Sequence, residues 1–157
     1  MKILIMGLPG SGKTWLGERL GKHFGIPYWD GDDVRRIYND WDFSIAGRAM
    51  QTERMRILAE IDDISISAYV CPLPALRHNF NPDKLIWMDT IEEGRYEDTN
   101  KLFEKPTNDE RWDTHDIILE DGTPEEWVEQ VMCNINKTEQ WDNQAPTALL
   151  IGRYQPF

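Results

Sequence analysis

Gly7-Leu8-Pro9-Gly10-Ser11-Gly12-Lys13-Thr14 fits the G-x-x-x-x-G-K-[ST] pattern of a phosphate-binding loop, and its flanks give the pattern mechanical meaning. Lys2-Ile3-Leu4-Ile5-Met6 before it is a short apolar run, the mark of a strand buried on both faces. After it, Trp15, Leu16, Leu20 and Phe24 recur at a spacing that puts them on one face of a helix. Strand, glycine-rich turn and helix together make an anion site. Backbone N–H groups of the loop and the helix N-terminus point at phosphate, and the glycines let the chain approach closely. The pattern assigns Gly7, Pro9, Gly10, Ser11, Gly12, Lys13 and Thr14 to ATP. Lys13 is expected to act catalytically at the β- and γ-phosphates, and Thr14 to hold Mg²⁺.

A chain of 157 residues is long enough for one domain with a real core. Its net charge of −11 repels polyanions and disfavours a long nucleic-acid track. The two cysteines, Cys71 and Cys133, form no ligand pattern, and a reduced, cytoplasmic setting is the simplest expectation. No apolar run reaches the roughly 18 residues that span a bilayer. Met1-Lys2-Ile3 enters the first strand directly, so no leader peptide is expected. The three histidines, His23, His78 and His115, are far apart and match no metal spacing. A homodimer is left open.

Apolar runs alternate with helical stretches, which predicts an α/β fold: a five-stranded, mainly parallel sheet with helices on both faces. Strands are expected near 3–6, 27–29, 64–70, 85–88 and 117–119. A short helix is expected at 33–39, with Val34, Ile37 and Tyr38 inward. A longer helix is expected at 45–60, with Met50, Met55, Ile57 and Leu58 apolar and Arg48, Gln51, Arg54 and Arg56 on the polar face. Thr123 should cap a helix at 124–135, with Pro124 at its first position and Glu125 and Glu126 suiting the dipole. Residues 92–113 are polar and carry both charge signs; a lid over a phosphate site and a solvated surface segment both fit.

Asp30-Gly31-Asp32-Asp33-Val34-Arg35-Arg36 follows the second strand and so lies at the carboxyl edge of the sheet, where ligands of open α/β sheets bind. Carboxylates there can bind Mg²⁺ or accept the proton of an attacking hydroxyl. Arginines there can clamp an anion. The plain alternative is an acidic loop in which Asp32 caps the following helix.

These residues resemble the adenylylsulfate (APS) kinases. That family pairs the phosphate loop with D-G-D-x-[VIL]-R, matched by Asp30 to Arg35. Its F-S-x-x-D-R-x-x-N-x-x-R run is similar to the stretch from Phe43 to Arg54, with Gly47 in place of the aspartate and Gln51 in place of the asparagine. Its F-I-S-P turn resembles Tyr69-Val70-Cys71-Pro72, with Arg77 nearby. Its D-x-K-G-L-Y pattern resembles the stretch from Asp98 to Phe103.

The resemblance implies transfer of the ATP γ-phosphate to a hydroxyl of a nucleotide-like anionic acceptor, adenosine 5′-phosphosulfate above all. It implies Asp30 as base, and Asp32 supporting Mg²⁺ or the acceptor. Arg35, Arg48 and Arg54 would bind the acceptor's anionic group. Phe43, with Tyr69 or Phe103, would stack on its adenine. Lys101 would close over the phosphates. Taken alone, Phe43 and Tyr69 read more readily as core than as stacking platforms, and Arg48, Arg54 and Arg56 on one helix as a solvated face. Two rivals stand beside this reading. One is a kinase of another hydroxyl, such as a polynucleotide 5′-end or a modified nucleoside. The other is a nucleotide-binding module whose acceptor site is lost through Gly47 and Gln51.

Residues 1–136 are expected to form the kinase domain, and 137–157 a linker and a strand. Gly152-Arg153-Tyr154-Gln155-Pro156-Phe157 resembles the opening of nucleotidylyltransferases, and the histidine motif of that family would follow it. A truncated relative of a fusion, or a strand pairing with the sheet edge, both fit.

Overall fold

The structure is a computed structural model that describes residues 1–107 and 117–136. Strand β1 (Lys2–Met6) leads through the glycine-rich loop into α1 (Lys13–Phe24). Then follow β2 (Tyr28–Asp30), α2 (Gly31–Tyr38), α3 (Ile45–Ala59), β3 (Ser65–Ala68) and α4 (Pro74–Phe80). After these come β4 (Lys84–Met88), α5 (Glu97–Leu102), β5 (Ile117–Leu119) and α6 (Pro124–Asn136). The segment 108–116 and the tail 137–157, with its strand expectation, lie outside the described residues.

Every strand pair is parallel, in the order β2-β3-β1-β4-β5. Successive side chains of β1 feed opposite layers. Ile3 and Ile5 pack with Leu16, Leu20 and Phe24 of α1 and with Val128 and Val131 of α6. Leu4 and Met6 pack with Val34, Met55, Leu76 and Phe80 from α2, α3 and α4. Helices therefore cover both faces, and the strands read as near-continuous apolar runs. The sheet is flanked by order reversal at β1: the chain leaves it for β2 on one side and later for β4 on the other. Loops after β1, β2 and β3 consequently converge at one carboxyl edge.

Two helical expectations are corrected and one helix is added. In α2, Val34 is buried, but Ile37 and Tyr38 are exposed. In α3 the inward face is largely the polar one: Arg48, Gln51 and Thr52 are buried with Met55, while Met50 and Ile57 are exposed. The helix borders a polar cavity, so periodicity of apolar residues does not mark its inner side. The third difference is α4, which the sequence reading omits. Pro74 opens it, and Leu73, Leu76 and Phe80 supply its apolar face. At α6, Thr123 Oγ1 accepts from Glu126 N–H while the Glu126 carboxylate accepts from Thr123 N–H, a reciprocal cap. Among the described residues no helix is long and apolar enough to cross a membrane.

Candidate active site

A cavity of about 680 Å³ opens at the carboxyl edge, lined by the glycine-rich loop, α2, α3 and the segment 95–99. Gly12 caps α1 in a left-handed conformation (φ 99°), and no side chain fills the cap. The free N–H groups of the first turn are left for an anion. A side chain at Gly12 would also strike the Trp127 ring, 2.8 Å from its Cβ position. Gly10, Gly12, Lys13 and Thr14 line the cavity with Pro9. Ser11 is buried; its carbonyl accepts from the Thr90 hydroxyl at 2.7 Å, and its own Oγ has no partner among the described residues.

The Lys13 ammonium donates to the Leu8 carbonyl at 2.8 Å. Burial lowers its pKa to about 8, against the opposing pull of Asp30 and Asp32. Thr14 Oγ1 donates to Asp30 Oδ2 at 2.7 Å, and the Tyr28 hydroxyl donates to the same oxygen at 2.9 Å. The other Asp30 oxygen accepts from Asp32 N–H at 2.9 Å. The cap of α2 is thus Asp30, not Asp32. Asp32 lines the cavity, and its carboxylate has no partner among the described residues. These donors suit Mg²⁺, which is commonly held by one or two carboxylates together with substrate phosphates and waters. No group of three or more His, Cys, Asp or Glu is placed to hold a metal alone among the described residues.

Across the cavity stand Arg35 and Arg48, both buried. Arg35 donates to the carbonyls of Asp40 and Asp42, each at 3.1 Å. Arg48 donates to Phe43 O at 2.9 Å and to Thr99 Oγ1 at 3.0 Å. Neither is paired with a carboxylate among the described residues. Burial lowers the pKa of both, and Arg48 adds to the shift at Arg35. Two guanidinium groups beside one ring, with only carbonyl and hydroxyl partners among the described residues, could receive an anion. The Phe43 ring lies beside both, its centroid 4.3 Å from the Arg35 guanidinium and 5.5 Å from that of Arg48.

The other expected site residues are dispersed. Arg54 lies outside the cavity wall, bonded to Asp40 at 2.7 Å and placed over the Tyr38 ring. Lys101 is exposed and pairs with Glu97 at 2.7 Å. Phe103 packs against the core on the α2–α4 side. Tyr69 lines the cavity but is buried, its hydroxyl bonded to Thr52 at 3.3 Å and its ring near Phe80. Cys71, also on the wall, has a positive φ of 46° and donates its thiol to the Tyr69 hydroxyl.

Gly47 and Gln51 have structural reasons. A Cβ at Gly47 would lie 2.5 Å from Asp42 Cγ and nearer still to the Asp42 carbonyl, so only glycine lets the 40–44 loop cross α3. Gln51 Nε2 donates to the Gly31 carbonyl at 2.8 Å and ties α3 to the acidic turn.

Sequence reasoning missed Trp41 and Arg95, both on the cavity wall. Arg95 reaches over the glycine-rich loop: its Nη2 is 3.9 Å from the Gly10 Cβ position. The segment carrying it is fastened by paired bonds of 2.8 and 2.9 Å between the Gly94 backbone and the Asn100 side chain. Its signal was present: a cation in the polar stretch after β4.

Solved structures share this architecture. A sugar kinase from Janibacter sp. HTCC2649 superposes with TM-score 0.68 over 94% of this chain and 96% of its own, at 16% identity. Shikimate kinase from Aquifex aeolicus gives 0.63 over 87% and 97%, at 19% identity. The APS kinase of Mycobacterium tuberculosis gives 0.62 over 86% and 96%, at 20% identity. The fold is that of the P-loop kinases. A curated relative, the probable gluconokinase of Xenopus tropicalis, is 36% identical over 64 residues, 41% of this chain and 34% of that protein. The match therefore spans about a third of the relative's length. No family model matches the chain.

Proposed function

We propose that this P-loop kinase fold binds Mg·ATP on residues 7–14 and transfers the γ-phosphate to a hydroxyl of a small anionic acceptor. One observation carries the reading. A single cavity joins the glycine-rich loop, two carboxylates and two buried guanidinium groups that have no carboxylate partner among the described residues.

The residues divide the work. Lys13 leaves the Leu8 carbonyl for the phosphates and offsets charge on the transferring group. Mg²⁺, when bound, would supply positive charge against the charge that develops on the phosphates. Thr14 and Asp30 would hold it, since their oxygens already meet at 2.7 Å. The base role expected at Asp30 suits Asp32 better. Asp30 accepts from three donors, whereas the Asp32 carboxylate is free among the described residues and faces the cavity. The acceptor oxygen attacks Pγ, its proton passes to the Asp32 carboxylate, and the bond from Pγ to the bridging oxygen breaks with its electron pair leaving on ADP. Catalysis is mainly positioning and electrostatic stabilisation.

For the acceptor, adenosine 5′-phosphosulfate remains the leading candidate. Phe43 and Trp41 offer exposed aromatic surface on the wall, beside arginines suited to its anionic groups. A sugar acid is the second reading. It is favoured by the gluconokinase relative and by the inward packing of Tyr69 and Phe103, which removes the second stacking partner. Incubation with labelled ATP, Mg²⁺ and each of adenosine 5′-phosphosulfate, gluconate, shikimate and a DNA 5′-end decides among them. One labelled small-molecule product supports the reading; ATP binding with no acceptor phosphorylated supports a binding module instead.

A further inference from the structure

The geometry points to Tyr28 as a positioning residue that fixes the Asp30 carboxylate for the metal–nucleotide complex, through a slot that two glycines open in α1. This rests on the proposed Mg·ATP site and adds a residue to it. Tyr28 lies two residues before Asp30 on β2, so both side chains leave the same face of the strand. Its hydroxyl donates to Asp30 Oδ2 at 2.9 Å, the oxygen that also accepts from Thr14 at 2.7 Å.

The ring can stand there only because α1 is hollow beneath it. A Cβ at Gly17 would lie 2.9 Å from Tyr28 Cζ and nearer still to Cε2. A Cβ at Gly21 would lie 3.1 Å from Tyr28 Cβ. Each glycine inside a helix is unfavourable relative to alanine. Their spacing of one turn puts Gly17 under the ring and Gly21 against the Tyr28 Cβ and the Ile26 carbonyl, so both admit this one side chain. Tyr28 is not on the cavity wall, so it acts through Asp30 and touches no substrate. With the Asp32 N–H on Oδ1, the carboxylate is held at both oxygens and cannot swing towards Lys13 or out to solvent.

Supporting partners of a metal-binding carboxylate are worth roughly 10–100-fold in metal affinity or activity. The test compares ATP binding by calorimetry, with Mg²⁺ and with EDTA, in the wild type, Tyr28→Phe, Asp30→Asn and the double variant. Tyr28→Phe keeps the ring and therefore its slot. The expected result is unchanged ATP affinity in EDTA, a rise of roughly 10-fold or more in the Mg²⁺ needed for half-effect, and no further loss when added to Asp30→Asn. A wild-type Mg²⁺ response in Tyr28→Phe overturns the proposal, as does an equal loss with and without Mg²⁺. No acceptor need be phosphorylated for this reading, so failure of the kinase assignment shows separately, in the acceptor panel.

Discussion

Thr14 and Asp30, sixteen residues apart on α1 and β2, meet hydroxyl to carboxylate at 2.7 Å. That contact joins the phosphate loop to the acidic turn and fixes where a metal–phosphate group would lie relative to an incoming hydroxyl. The neighbouring Asp32 carboxylate lines the cavity without a partner among the described residues, and is proposed to take the proton.

The two aspartates should therefore fail differently. Asp32→Asn is expected to lower kcat by roughly 10²–10⁴-fold with ATP affinity retained. Asp30→Asn should weaken Mg²⁺ dependence first. Steady-state kinetics across a Mg²⁺ series separates them, and identical profiles would return Asp32 to a structural part.

Lys13 gives a pH signature. Its pKa is about 8 in the folded chain against 10.5 for a free lysine. Between those values the unfolded chain binds more protons, so this group's contribution makes stability rise with pH across that window. Below it, both states carry the proton and the contribution is flat. Phosphate favours the ammonium, so ATP binding above the folded pKa should take up protons. Calorimetry in two buffers of different ionisation enthalpy measures the uptake, which Lys13→Met should abolish.

Arg35 and Arg48 should govern the acceptor. Arg48→Lys keeps charge but loses the planar fork that spans Phe43 O and Thr99. A rise in acceptor KM of roughly 10–100-fold, about 1.4–2.7 kcal/mol, is expected, with ATP KM little changed. A matching rise in both constants would count against an acceptor subsite.

Gly47→Ala drives a methyl group into Asp42. The expected cost is about 1–3 kcal/mol, as for overpacking elsewhere, read as a lower urea midpoint. Because Arg35 is held by the Asp42 carbonyl, acceptor binding should weaken as well.

The phosphate loop, the strands and the acidic turn were legible in the sequence because each is a local pattern: an apolar run, a glycine spacing, a cluster at a strand end. What was not legible depends on distance in space. Arg48 and Gln51 look like a solvated face, yet they are buried because α3 borders a polar cavity. Ile37 and Met50 look like core, yet they are exposed. Arg54, Lys101 and Phe103 carry the right chemistry and lie off the cavity wall, drawn to Asp40, Glu97 and the core. Gly47, read from the sequence as a lost contact, is a crossing point for the 40–44 loop. Tyr28, on β2, gave no signal at all, since its slot lies on α1.

The most direct test of the central claim follows the γ-phosphate itself. With wild-type protein, Mg·ATP and the acceptor panel, phosphorus NMR should show ADP and a new phosphomonoester appearing together in equal amounts, with neither formed by Lys13→Met. Free phosphate in place of the ester, or product formation undiminished in Lys13→Met, would contradict it.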